Sequence, residues 1–179
     1  ILETDKLNGR SDLYAYIPFL IYDILDNNGH LGIIVSNSWL ATEWGLKFRN
    51  LLKRFYSIKY IVTSANGRWF ENADVVTNLL VCQKRKTAGN DTLSFISILK
   101  QLDSSNIDDI ANDIITKSNS SNVTVSTVSK RNIEKLDELS IGWTSCFSDV
   151  DWFLSHKDKF ERLSVYSSIG RGERRGCNK

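Results

Sequence analysis

Three short polar residues, Ser36, Asn37 and Ser38, follow an apolar run that ends at Val35. In open α/β sheets, ligands bind beyond the carboxyl ends of the strands, so hydroxyl and amide groups at this position are placed to rim a pocket. The same residue types also cap helices, and a helix is predicted shortly after them. Both roles stay open from these residues alone.

A second group of candidate residues lies near the end of the sequence, where Arg171, Arg174 and Arg175 are interspersed with glycines. Guanidinium groups on a glycine-rich backbone can approach and neutralise DNA phosphates. No helix follows that would complete an anion site of the nucleotide-binding kind. We predict a contact with DNA here, and the alternative is a solvated linker.

The elements that would position these residues alternate between helix and strand. Periodicity predicts, in chain order, a helix over 12–26, a strand over 31–35, a helix over 42–54 and strands over 58–63 and 75–83. Asp12 is a candidate N-cap of the first helix, and Pro18 should kink that helix or loosen its first turns. The 31–35 run is typical of a parallel strand covered on both faces. The last two strands could pair as neighbours across a turn.

The composition shifts after Lys86, and the next stretch looks like an appended, β-rich flap. The pattern there predicts strands over 92–99 and 123–128, an acidic helix over 107–115 and a helix over 149–163. The second predicted helix of the chain also carries a basic face, formed by Lys47, Arg49, Lys53 and Arg54. Such a face is more often solvated than used as a phosphate track.

The global composition excludes several classes of protein. A hydrophobic content of 41% can bury a core, and a net charge of +2 is too mild to indicate nucleic acid by itself. The three cysteines show no Cys-x-x-Cys spacing, so neither a metal site nor a disulfide framework is expected, and a reducing cytoplasm fits best. No apolar run approaches the ~20 residues that span a bilayer. The sequence starts at Ile1 and contains no methionine, which indicates a piece of a longer protein.

Three ordered blocks carry a resemblance to a known family. They are Asp12-Leu-Tyr-Ala-Tyr, then Gly29-His-Leu-Gly-Ile-Ile-Val-Ser-Asn-Ser-Trp-Leu, and Arg68-Trp-Phe-Glu-Asn-Ala-Asp-Val-Val-Thr-Asn-Leu-Leu-Val-Cys-Gln-Lys. In this order and spacing they resemble the N6-adenine-specific DNA methyltransferases of restriction-modification systems, of the type IIG and type I-like kind. The 169–178 segment is similar to the start of the target-recognition region of those enzymes.

The resemblance implies an α/β fold, an incomplete Rossmann-like methyltransferase half-sheet with an α+β C-terminal extension. Residues 1–86 would be the second half of the catalytic domain, 87–165 the extension and 166–179 the start of the target-recognition domain. The family's glycine-rich loop and Asn-Pro-Pro-Tyr motif have no counterpart, since the only proline is Pro18. S-adenosylmethionine would therefore be bound mainly by an N-terminal half outside this sequence, and no catalytic residue is assigned within it.

The resemblance also assigns the substrate-binding residues. Phe70 matches the position whose ring forms one wall for the flipped adenine, with Trp69 as the second choice, and Ser36, Asn37 and Ser38 would rim the base pocket. Composition alone favours Phe70 as a core anchor between two strands. Asp74 and Thr77 would hold the loop or reach a phosphate, and core packing is the better reading for Tyr14.

The expected function is part of a site-specific methyltransferase that acts on adenine in double-stranded DNA, the isolated piece being inactive. One alternative is a non-enzymatic DNA-binding or specificity module, in which the basic helix and the arginine segment read DNA. A methyltransferase acting on protein or RNA is a third reading. No membrane association is expected.

Overall fold

The structure is a computed structural model that describes residues 7, 11–70, 72, 75–84, 92–168 and 170. Within these residues, five strands form one mixed sheet in the spatial order β1-β3-β2-β4-β5. The strands are β1 (His30–Ser36), β2 (Tyr56–Ser64), β3 (Thr77–Lys84), β4 (Thr92–Ile98) and β5 (Val123–Ser129). The predicted α/β class is confirmed.

The strand directions place several chain ends together. β3 lies between β1 and β2 and is antiparallel to both, while β4 runs parallel to β2. β1, β2 and β4 therefore share one direction, and their carboxyl ends meet at one edge of the sheet. The predicted pairing of the 58–63 and 75–83 strands is confirmed.

The expectation of a parallel, doubly covered strand over 31–35 is wrong. β1 pairs with β3 in the antiparallel sense, and Ile34 is 51% exposed in the described part of the chain. Leu31 and Val35 are buried on the other face. β1 is thus an edge strand of the described sheet, with one face packed and one open.

In place of the helix predicted over 12–26, the chain forms only short helical pieces. A 3-10 turn, Leu13–Tyr16, leads into the short helix α1 (Ile17–Leu20), and turns follow. Because proline has no backbone N–H, Pro18 fits the first turn of a new helix and not the interior of a long one. The second predicted helix is confirmed as α2 (Glu43–Phe55), capped by the Thr42 hydroxyl, which accepts from Gly45 N at 3.2 Å.

Three further α-helices lie beyond β4 in the described residues. They are α3 (Ile107–Thr116), α4 (Lys130–Glu138) and α5 (Val150–Ser155). The helix expected over 149–163 ends at Ser155, since the chain turns back to stack the rings of Phe153 and Phe160 at 5.7 Å. Seven residues of helix would separate them by about 10 Å. No helix among the described residues is long and apolar enough to cross a membrane.

The helices cover both faces of the sheet. α2 and α4 contribute to the larger core on one face, and α3 covers a smaller apolar cluster on the other. Since β4 pairs with β2, the last two strands belong to the same sheet and do not form a separate flap. The division of the chain at residue 86, which stays a prediction, falls within this continuous sheet.

Candidate functional site

A cleft opens at the edge of the sheet where β1 ends. Ser36, the last residue of β1, pairs with Thr77, the first residue of β3. The 65–76 loop connects β2 to β3 and returns the chain to this edge. The cleft has a volume of about 640 Å³ and is lined by Asp12, Leu13, Tyr14, Ser36, Asn37, Ser38, Val75 and Val76. Ser36, Asn37 and Ser38, at the end of β1 and directly after it, thus line one cavity, as expected for the carboxyl end of a strand.

Hydrogen bonds join the polar groups of the cleft into one network. The Ser38 hydroxyl donates to Asp12 Oδ2 at 2.8 Å, and the Ser36 Oγ lies 2.9 Å from Ser38 Oγ and 3.1 Å from the Tyr14 hydroxyl. A carboxylate only accepts, so the proton of Ser38 is directed at Asp12. Ser38 Oγ can therefore only accept from the Ser36 and Tyr14 hydroxyls, 2.9 and 3.1 Å away, while the lone pairs of Ser36 Oγ remain available to accept an N–H from a ligand.

Backbone pairing fixes the wall on the other side of the network. Asn37 N donates to Val76 O at 2.9 Å, which joins the 3-10 helix Asn37–Leu40 to the end of the 65–76 loop. The apolar side chains of Val75 and Val76 remain 48% and 40% exposed. The cleft therefore offers hydroxyls on one side and aliphatic groups on the other, which suits a flat ring with polar edges.

Tyr14 connects the cleft to the core. Its ring packs edge-on against Trp44 and Phe48, with centroids 5.9 and 6.3 Å away, as the core-packing interpretation expects. Its hydroxyl meanwhile lies 3.1 Å from Ser38 Oγ. Burial raises the pKa of the Tyr14 phenol, against the opposing effect of its hydrogen bonds to Ser36 and Ser38. The phenol is therefore neutral at physiological pH and can donate a hydrogen bond.

The adjacent aromatic residues of the 65–76 loop have different environments. Trp69 is partly buried against the smaller apolar cluster that contains Val62 and Ile96. Phe70 is 46% exposed. The role of core anchor, which composition favoured for Phe70, thus falls to Trp69, and the Phe70 ring is left accessible to a ligand. This arrangement makes Phe70 the better candidate of the two for contact with a base.

The other expected site residues are Thr77, which the structure describes, and four residues that lie outside its described part. Thr77 is buried, and its hydroxyl has no hydrogen-bond partner among the described residues. Asp74 lies outside the described residues, as do Arg171, Arg174 and Arg175 of the C-terminal segment. Their predicted contacts with DNA stay predictions.

Asp12 is a site residue whose role the sequence reasoning missed. It was expected to cap a helix, but its side chain makes no capping hydrogen bond. Its carboxylate accepts hydrogen bonds from the Ser36 and Ser38 hydroxyls instead. The available signal was the Asp-x-Tyr spacing at 12–14, which places both side chains at the cleft once the chain enters a 3-10 turn.

The mixed sheet, the helices on both of its faces and the polar cleft at the end of β1 define an α/β protein with a candidate ligand site at the carboxyl edge of its sheet. Residues 3–70 match the model of the Eco57I restriction-modification methylase family. This match includes the polar residues of the cleft up to Ser38 and ends at Phe70. The predicted resemblance to restriction-modification methyltransferases is thereby confirmed.

Solved structures show the same fold. The type IIG restriction endonuclease BpuSI superposes on 97% of this chain with a TM-score of 0.62 and 15% identity. A type I restriction-modification methyltransferase subunit from Streptococcus thermophilus superposes on 71%, with a TM-score of 0.54 and 20% identity. The matches cover 21% and 29% of those two chains, so this chain spans less than a third of either. At such identities the likeness concerns the fold.

Proposed function

We propose that this chain is part of a site-specific DNA methyltransferase of a restriction-modification system. The enzyme transfers the methyl group of S-adenosylmethionine to the N6 amine of an adenine flipped out of double-stranded DNA. The observation that carries the proposal is the family match over 3–70, because that segment supplies both the polar cleft and the exposed Phe70.

Adenine methylation requires a pocket that holds a single extruded base. Aromatic stacking on one face of a base is worth ~1–3 kcal/mol and is independent of base identity. We assign the Phe70 ring to that face. Ser36, Asn37 and Ser38 line the cleft and supply polar contacts to the base edge, with the free lone pairs of Ser36 Oγ as an acceptor.

The methyl donor is assigned mainly to residues outside this sequence. The sequence contains no glycine-rich loop after a first strand and no Asn-Pro-Pro-Tyr motif. The outer edge of β1 carries no partner strand within the described residues, and Ile34 on that strand is half exposed. This edge leaves room for further strands of a methyltransferase sheet, which would bring the donor to the cleft. S-adenosylmethionine, when bound there, supplies the electrophilic methyl group.

The test is methyl transfer to DNA by the longest protein that contains this chain, measured with labelled S-adenosylmethionine. Phe70→Ala should lower kcat/KM by about 5- to 150-fold, the equivalent of the lost stacking energy. Phe70→Trp keeps a stacking surface and should restore most of the rate. Phe160→Ala is the matched control, because Phe160 is a similarly exposed ring, at 50%, and lies outside the 3–70 segment that matches the family model.

Two results would contradict the proposal. Equal kinetics of wild type and a folded Phe70→Ala variant would remove Phe70 from the base site. DNA binding without methyl transfer by the folded wild-type protein would favour a non-enzymatic DNA-binding module. Labelled adenine in the DNA hydrolysate distinguishes N6 methylation from methylation of another base.

A further inference from the structure

Arg49 of α2 and Asp137 of α4 form an ion pair in the interior of the protein. Their side chains are 2% and 8% exposed, and the Arg49 Nε and Nη2 atoms lie 3.3 and 3.2 Å from Asp137 Oδ1. Asp137 also accepts from Trp143 Nε1 at 3.0 Å and from Lys53 Nζ at 2.6 Å. The basic face of α2 is therefore not uniformly solvated, since one of its cations is buried on a carboxylate that comes from beyond β5.

The remaining guanidinium nitrogen of Arg49 binds the backbone behind the cleft. Nη1 donates to the carbonyl oxygens of Trp39 and Leu40, at 2.8 and 2.9 Å. These carbonyls are the last two of the 3-10 helix Asn37–Leu40, and the last carbonyls of a helix have no N–H donor within it. Burial lowers the pKa of the Arg49 guanidinium and the Asp137 carboxylate opposes that shift, so the side chain stays charged.

Two glycines bring the supporting elements against the same backbone. A Cβ at Gly45 of α2 would lie 2.0 Å from Trp39 O, and one at Gly142 would lie 2.8 Å from Ala41 Cα. The Trp39 ring is fully buried and meets the Trp143 ring edge-on at 6.0 Å. The 39–41 backbone is thus enclosed on its inner side by α2 and by the chain around Gly142, while Ser36, Asn37 and Ser38 face the cleft.

We propose that Arg49 and Asp137 are positioning residues for the base-binding cleft. Asp137 orients the Arg49 fork, the fork holds the Trp39 and Leu40 carbonyls, and those carbonyls set the position of Ser38 and its neighbours. The region after β4 thereby supports the site through α4, although it contributes no residue to the cleft lining. This inference rests on the proposed methyltransferase function.

Asp137→Asn tests the inference in the longest active protein. The amide has nearly the shape of the carboxylate but cannot balance the Arg49 charge, so the fork loses its orientation. Because small displacements in a reaction site cost up to about 100-fold in rate, kcat should fall by about 10- to 100-fold. The dissociation constant for S-adenosylmethionine should stay within about twofold, since the donor is assigned to other residues. Asp137→Glu, which keeps the charge, should recover part of the rate.

Hydrogen exchange provides a second readout, which does not depend on catalysis. The amides of Ala41 and Thr42 donate to Ser38 O, at 3.4 and 3.2 Å, and report on the segment that Arg49 holds. They should exchange faster in Asp137→Asn. The control is Glu134→Gln, the same change of charge on the exposed side of α4, where Glu134 is 52% exposed. It should alter neither exchange nor rate.

The outcomes separate the inference from the function on which it rests. Unchanged kcat and unchanged exchange in a folded Asp137→Asn protein would overturn the positioning role, as would a slower rate with unchanged exchange at 41–42. A wild-type protein without methyl transfer would refute the proposed function, while faster exchange in the variant would still support the link between Asp137 and the cleft backbone. If Asp137→Asn does not fold, Lys53→Met, at a side chain that is 23% exposed, removes the donor that lies 2.6 Å from Asp137 Oδ2, and the same effects are expected in smaller size.

Discussion

The energy of the buried Arg49–Asp137 pair can be measured by a double-mutant cycle with Arg49→Met and Asp137→Asn. Removing one partner of a buried ion pair typically costs about 3–5 kcal/mol, because an uncompensated charge stays inside. Asp137→Asn leaves Arg49, which is 2% exposed, in that state. Arg49→Met leaves the Trp39 and Leu40 carbonyls without their donor, at about 1–3 kcal/mol for each buried group left unsatisfied.

The assay is equilibrium unfolding in urea, followed by tryptophan fluorescence and by circular dichroism. We expect Asp137→Asn to lower the free energy of unfolding by about 3–5 kcal/mol, which corresponds to about 6–20 °C in Tm for a chain of this size. The double variant should be more stable than the sum of the single effects predicts, by about 1–3 kcal/mol, since the two groups are in contact.

Glu134→Gln is the reference for this cycle. The Glu134 carboxylate lies 3.9 Å from Lys130 Nζ on the solvent side of α4, where an ion pair contributes little. Its loss should change stability by less than about 0.5 kcal/mol. A loss of less than about 1 kcal/mol for Asp137→Asn, or additive effects in the double variant, would refute the reasoning.

Two further predictions concern the buried thiols and the exposed face of β1. Burial raises the pKa of the Cys82 and Cys146 thiols, that of Cys146 to about 12. Because the thiolate is the reactive form, iodoacetamide at pH 8 should label both cysteines at least about a thousandfold more slowly in the folded chain than in the unfolded chain. Peptide mass spectrometry measures the two labelling rates. The thiols ionise more readily once unfolded, so the stability they contribute is present below about pH 9 and should be lost as the pH rises toward 12. Because Ile34 is 51% exposed, Ile34→Glu should alter the stability of this chain by less than about 0.5 kcal/mol. In a longer protein whose further residues cover the Ile34 face of β1, the same substitution should unfold or inactivate the protein. Equal effects in both proteins would contradict a covered face.

The elements that could be predicted from the sequence are those defined by local pattern. Apolar runs bounded by polar turns located β1, β2 and β3, and helical periodicity located α2. The sheet order could not be read in this way, because the insertion of β3 between β1 and β2 depends on pairing between distant strands. The same limit explains the error on β1, whose apolar run is equally suited to an antiparallel edge strand with one buried face.

Short helices were less predictable, since tertiary contacts decide them. α4 has two buried apolar residues, Ile133 and Leu136, in a stretch that is otherwise polar or charged, so its periodic signal is weak. Its N-terminus is marked by the Ser129 hydroxyl, which accepts from Asn132 N at 3.2 Å. The interior position of Asp137 depends on Arg49, 88 residues earlier, and no local pattern encodes that pairing.

The same distinction applies to the candidate site. The placement of Ser36, Asn37 and Ser38 at a cleft follows from a general property of strand ends, which the sequence reveals. The choice between Trp69 and Phe70 cannot be made from the sequence, because it depends on which ring reaches the apolar cluster on the sheet. In the structure Trp69 packs partly buried against that cluster and Phe70 is 46% exposed, which favours Phe70 as the candidate.

The energetics of Arg49 indicate why a charged group stands behind the cleft. An aliphatic side chain at this position would avoid the desolvation of a guanidinium, and such replacements of buried ion pairs are often neutral or stabilising. Only a guanidinium can bind two adjacent carbonyls and a carboxylate at once in a fixed planar geometry. The pair is thus better explained by the placement of the Trp39 and Leu40 backbone than by stability. In an Arg49→Met, Asp137→Leu protein the two carbonyls still lack a donor, so a loss of kcat measured well below the Tm of the folded variant is the signature that this explanation requires.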